Sequence, residues 1–239
     1  MATPKHKSVS PFENGLIIGG NLVVLLGVML WDWSLFDIFY IYWLENVLIG
    51  IITAIRMLMV SAAWGIAMVI GSLFTIGFFT VHYGMFCFGH GMILFDLFYK
   101  GTMDFNSEPI LMFDYALHGS SQGLFFAICG MIIVEIIRFL QQRAEDKRDA
   151  AIPQAIMFSP YGRIIILHVT IIMGGLGAQA LGDPIWALLL LVVLKTTYDL
   201  GVHNFSFGPK LSDEQKAATL KKRQLLQKLF RGHHPSDSE

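Results

Sequence analysis

Six apolar runs, each close to 20 residues, divide the chain at roughly 12–31, 36–58, 62–84, 121–140, 160–181 and 184–203. A hydrocarbon core about 30 Å thick is crossed by about 20 helical residues. Each run therefore predicts a membrane-spanning helix, and the fold class expected is all-α, a polytopic transmembrane bundle of six spans. The third run does not stop cleanly, because apolar sequence continues from Ala62 to Tyr99. One helix of that length would measure about 54 Å, well beyond the core. Gly84, Gly89 and Gly91 offer break points, so residues 85–117 are expected to form an outer-face lid or re-entrant segment packed on the bundle.

Beyond residue 203 the pattern changes. Ser212 and Gln215 have capping-box spacing, and Leu220, Leu225, Leu226, Leu229 and Phe230 recur among Lys216, Lys221, Lys222, Arg223 and Lys228. That is a basic amphipathic helix suited to the anionic lipid of a cytoplasmic leaflet. The domain reading is an N-terminal tail over 1–11, a six-span domain over 12–203, and a basic tail over 204–239.

Composition agrees with the pattern: 54% of residues are hydrophobic and 15% charged, with mean hydropathy +0.58. The net charge of −1 conceals a one-sided placement. Lys5, Lys7, Arg56, the Arg138 to Arg148 loop, Arg163 and the tail from Lys210 to Arg231 fall on one side of a six-span topology, and Lys100 on the other. The positive-inside rule then puts both termini in the cytoplasm, with the bacterial inner membrane as the expected location. No cleavage site precedes Trp31 and Asp32, so the first run reads as an uncleaved span. Trp31, Trp33, Phe36, Phe39, Tyr40 and Trp43 gather at the outer boundary like an interfacial aromatic belt. Cys87 and Cys129 show no metal or redox spacing and read as buried apolar side chains. Nothing in the chain suggests nucleic-acid binding.

Charge inside the apolar runs carries the candidate chemistry. Lys195 falls near the middle of the last run, and Asp199 and His203 follow at four-residue steps on the same helical face. A lysine at the bilayer centre costs about 2.5–3.5 kcal/mol on insertion scales. Counting along the helices places Glu45, Asn46 and His168 near the same depth. Glu45, Asn46, His168, Lys195, Asp199 and His203 therefore form a candidate polar network. It reads either as a buried ion pair that fixes helix register or as a pathway for an ion, a proton or a small polar solute. Glu135 and Arg138, spaced i, i+3, read as a local ion pair.

On the outer side, His82, His90 and His118 together with a nearby carboxylate make a candidate site for zinc or another divalent metal. Gly119, Ser120, Ser121, Gln122 and Gly123 spell G-x-S-x-G. Here the string precedes a helix rather than following a strand, so a capping serine explains it better than a nucleophile. The small-residue run Gly174, Gly175 and Gly177 suggests tight helix packing.

The strings Trp43-Leu44-Glu45-Asn46, His82-Tyr83-Gly84-Met85-Phe86 and Lys195-Thr196-Thr197-Tyr198-Asp199 resemble a family of bacterial integral membrane proteins known as a domain of unknown function, DUF6498. The likeness runs from about residue 15 to 205. It implies a multi-span inner-membrane protein of similar length, and it implies no activity, cofactor or catalytic residue. Three functional readings follow from the residues: binding or transport through the polar network, a membrane enzyme with a His-ligated metal at the outer face, and a scaffold or partner subunit.

Overall fold

The computed structural model describes residues 33–99, 111–119, 122–148 and 151–181, with a few isolated helical positions nearer each end. The described residues are almost all helical and contain no strand. In chain order they form α1 (Leu35–Trp64), α2 (Ile66–Phe98), the short α3 (Leu111–Asp114) leading into a π-helical turn (Tyr115–Gly119), α4 (Gln122–Arg148), α5 (Pro153–Met157) and α6 (Tyr161–Leu181). Four helices are long and apolar enough to cross a membrane: α1, α2, Gly123–Lys147 within α4, and Pro153–Met173 across α5 and α6. They correspond to the second to fifth apolar runs. The first and sixth runs lie outside the described residues, as does the C-terminal amphipathic segment apart from isolated positions.

The packing of these helices is that of a membrane bundle. Ile51, Ile55 and Leu58 on α1, and Ile66, Ile70, Phe74, Phe78, Val81 and Met85 on α2, recur at three- and four-residue steps and are exposed, Phe74 to 83%. The opposite stripes, Gly50, Thr53, Met57 and Ser61 on α1 and Phe79, Tyr83, Cys87, Leu94 and Phe95 on α2, are buried. Apolar surface facing outward and polar side chains inside suit a hydrocarbon solvent.

Ser34 starts α1 with a capping box: its hydroxyl accepts from the Asp37 amide at 3.2 Å, and the Asp37 carboxylate accepts from the Ser34 amide at 2.8 Å. At its other end α1 folds back into α2 over one residue, Gly65, at φ 107° and ψ 172°. Residues with a Cβ almost never adopt that conformation. A Cβ at Gly65 would meet nothing within 4 Å, so substitution costs backbone conformation alone. Gly65→Ala should destabilise the helical hairpin by about 1–3 kcal/mol, read as a lower melting temperature in detergent; an unchanged melt would mean that the two helices turn by another route.

Two expectations change here. Gly84, Gly89 and Gly91 do not break the third span, because α2 runs unbroken through Phe98. Residues 85–98 thus continue the helix rather than opening a lid. At about 50 Å, α2 must tilt or project past the hydrocarbon, and Leu94 and Phe95 bury that extension against α1. The aromatic residues at the start of α1 also differ from a lipid-facing belt. Trp33, Phe36, Phe39, Tyr40 and Trp43 are all buried, and Phe36, Phe39, Tyr40 and Trp43 make edge-to-face or tilted ring contacts with Phe95, Phe98, Tyr99, Phe113 and Tyr115. The Tyr40 hydroxyl donates to the Met112 carbonyl at 2.8 Å, fastening α3 over this end.

Tyr115 in the π-helical turn donates to Asp37 at 2.7 Å. Burial, with the Asp37 carboxylate beside it, pushes the Tyr115 hydroxyl well above its ordinary titration range. It is a permanent donor that ties the turn to the first turn of α1.

Candidate functional site

The aromatic cluster fills one end of the bundle, and a second apolar cluster of Met57, Phe79, Tyr83, Cys87, Ile156 and Ile164 fills the other half. Between them lies a charged layer. Glu45 is about 15 Å along α1 from Leu35 and is buried. Its Oε1 accepts from Arg163 Nη1 of α6 at 3.1 Å and lies 3.7 Å from Arg138 Nη1 of α4. The same Arg138 nitrogen donates to Glu135 Oε1 at 2.5 Å, one turn back on its own helix. The order Glu135, Arg138, Glu45, Arg163 alternates in sign across α4, α1 and α6. Among the described residues two carboxylates and two guanidiniums offset one another, which favours the persistence of charge among apolar helices.

Asn46 is buried beside Glu45. Its side-chain amide donates to the Tyr42 carbonyl at 2.8 Å, and its backbone carbonyl accepts from the Tyr83 hydroxyl at 3.3 Å. Asn46 Oδ1 has no hydrogen-bond partner among the described residues. A buried acceptor left so costs about 1–3 kcal/mol, an expense more common at functional positions than in a settled core.

Two histidine contacts join α2 to α6. His82 Nδ1 lies 3.2 Å from the Tyr161 hydroxyl. His90 Nδ1 lies 2.6 Å from the Phe86 carbonyl, and His90 Nε2 lies 2.7 Å from His168 Nδ1. A carbonyl can only accept, so the proton of a neutral His90 sits on Nδ1. Its Nε2 then accepts from His168 Nδ1, leaving His168 Nε2 as the bare nitrogen of the pair. His90 and His82 are about 12 Å apart along one unbroken helix, each with its own partner. His118 falls in the π-helical turn and its side chain lies outside the described residues. Among the described residues, no group of three or more His, Cys, Asp or Glu side chains is placed to hold a metal ion.

Toward the end of α4, Arg56 forms a three-point clamp: Nε and Nη2 donate to the two oxygens of Asp146 at 2.9 Å each, and Nη1 donates to Gln142 Oε1 at 2.8 Å. Bidentate guanidinium–carboxylate pairs fix both distance and orientation, so this clamp closes α1 on α4 below the charged layer.

The sequence reading is therefore brought together in part. Glu45 and Asn46 lie in the layer, while His168 is displaced toward the aromatic end, on His90. Lys195, Asp199 and His203 lie outside the described residues. Spacing alone did not reveal that Arg138 and Arg163 converge on Glu45. Arg163 reads as a boundary charge when its apolar run is counted from residue 160. The signal was present upstream: Ile152 to Phe158 are largely apolar, and the apolar stretch starts at Pro153, which puts Arg163 well inside it rather than at its edge.

The chain matches the family model of a family of unknown function (DUF6498) over residues 3–222, and it belongs to that family. Neither a curated protein nor a solved structure matches it.

Proposed function

We propose that this DUF6498 member binds a proton, an ion or a small polar solute in its buried charged layer and passes it across the bacterial inner membrane. The observation that carries the reading is Glu45, a mid-span carboxylate approached by guanidiniums from two other helices. Hydrophobic packing of equal volume would hold these helices at least as well, whereas ionisable groups at such depth usually line a path. The layer is also closed at both ends, by the aromatic cluster with Tyr40 on one side and by the Arg56 clamp on the other. Closure at both ends supports the reading of an occluded binding site.

In this reading the first and sixth apolar runs complete six spans. Lys195, Asp199 and His203 of the last span extend the network. Arg56, Arg143, Lys147 and Arg148 mark the clamp end as cytoplasmic. The tail over 204–239 rests on anionic lipid.

The test is a set of vesicles carrying the purified protein and an internal pH dye, challenged with a proton gradient in media containing sodium, chloride, amino acids or gluconate. Wild-type protein should collapse the gradient faster than protein-free vesicles in at least one medium, and Glu45→Gln and Lys195→Met should each abolish the difference. If wild-type vesicles match protein-free ones in every medium, the reading fails.

A further inference from the structure

We propose that residues 111–119, the short α3 with its π-helical turn, gate the aromatic end of the charged layer and open when the π turn relaxes to α geometry. This rests on the layer being the occluded site proposed above, and it adds the moving part and the end that opens first.

The segment is built to come away as a unit. α3 is four residues long, too short to hold its shape without tertiary contacts. Five residues in π geometry follow it, Tyr115–Gly119, and π turns are rare and concentrate at functional sites. Phe113 and Leu117 are exposed on the outer side, while Met112 and Tyr115 are buried on the inner side. Two tyrosine hydroxyls fasten that inner side to α1: Tyr40 donates to the Met112 carbonyl at 2.8 Å, and Tyr115 donates to Asp37 at 2.7 Å.

Ring contacts show what the segment covers. The Tyr115 ring meets Phe36 at 5.1 Å and Tyr40 at 5.0 Å on α1, Phe95 at 6.4 Å on α2, and Tyr99 at 5.8 Å at the end of α2. It is a ring that both helices share, so withdrawing it loosens the cluster between them. Phe113 caps Trp43 at 5.4 Å, and Trp43 lies two residues before Glu45, about 3 Å along α1. Lifting the segment therefore uncovers an indole that borders the layer.

The π turn supplies the switch. It closes i→i+5 hydrogen bonds where an α turn closes i→i+4, so reversion shifts the preceding residues by one position, a rotation of about 100° against α4. Met112 and Tyr115 leave α1 together in that rotation. The other end of the layer is held differently. There Arg56 joins α1 to α4 through both oxygens of Asp146, and parting them means moving two long helices.

Cys87 reports the opening. It is buried on α2, and its carbonyl accepts from Trp43 Nε1 at 2.7 Å, which sets it beside the ring that Phe113 caps. The experiment measures alkylation of Cys87 by a charged maleimide in the detergent-purified full chain carrying Cys129→Ser, with the melting temperature of each variant alongside. Tyr115→Phe keeps the ring and removes the bond to Asp37, so it should speed alkylation about tenfold at temperatures well below its melt. Deleting Leu117 takes away the residue that the π turn needs beyond an α turn. Alkylation should then be faster still, and adding Tyr115→Phe should change it no further. Equal rates in the parent and Tyr115→Phe, a rate that only follows a falling melting temperature, or a slow rate in the Leu117 deletion would each overturn the inference. Should the deletion not fold, Tyr115→Phe and Tyr40→Phe, each expected to accelerate alkylation, decide alone. Vesicles that hold a proton gradient in every medium while Cys87 still responds would remove the transport reading and leave the gate; transport with an unresponsive Cys87 would do the reverse.

Discussion

Glu45→Leu should destabilise the protein by about 3–5 kcal/mol, the usual cost of removing one member of a buried ion pair and stranding the other. The loss comes from what remains: Arg163 would lose its 3.1 Å hydrogen bond to Glu45 and face a leucine there among apolar helices. Arg138 is less affected because Glu135 still holds it. The contrast with a double replacement makes the result diagnostic. In Glu45→Leu with Arg163→Met both charges go and the volume stays roughly constant, so most of the lost stability should return. Unfolding in mixed micelles, followed by tryptophan fluorescence, would measure all three variants. If the single losses simply added in the double variant, Glu45 and Arg163 would not be coupled and the charged layer would have to be drawn differently.

The legible part of this chain is the part written in hydrophobic length. Runs of about 20 apolar residues can do little except span, and four of the six expected spans correspond to helices long and apolar enough to cross a membrane. The depth of Glu45 was legible for the same reason, since position along a helix follows from counting. Azimuth was not. Which face of α4 meets α1, and how far α5 carries the chain inward before α6 starts, depend on packing. Consequently Arg138 and Arg163 looked like boundary charges although they close on Glu45. The three glycines near residue 84 misled in a different way. Glycine lowers helix propensity by about 1 kcal/mol, which suggests a break in water. In an apolar solvent the unsatisfied backbone groups of a broken helix cost more than that, and α2 stays whole through all three.

One of those glycines has a positive use, and a partner on the facing helix shows it. A Cβ on Gly91 of α2 would lie 3.0 Å from the indole of Trp43, and a Cβ on Gly50 of α1 would lie 2.6 Å from the Tyr83 ring. Each helix thus offers a notch to an aromatic side chain of the other. The two seated rings also make the cross-helix hydrogen bonds, Trp43 Nε1 to the Cys87 carbonyl at 2.7 Å and Tyr83 to the Asn46 carbonyl at 3.3 Å. Without hydrophobic driving force between helices in lipid, close approach through small residues carries the association. Gly50→Val should therefore cost about 3 kcal/mol, at the upper end of overpacking penalties, with about 1 kcal/mol more as Tyr83 leaves its hydrogen bond. Because Tyr83 packs directly beneath the charged layer, the same variant should weaken any function that depends on Glu45. Adding Tyr83→Ala to Gly50→Val vacates the space that the valine needs, so the pair should be more stable than the sum of the two single changes predicts. A Gly50→Val protein that melts with the wild type would show that α1 and α2 are held apart at this level, and the notch would then have no role in seating the site.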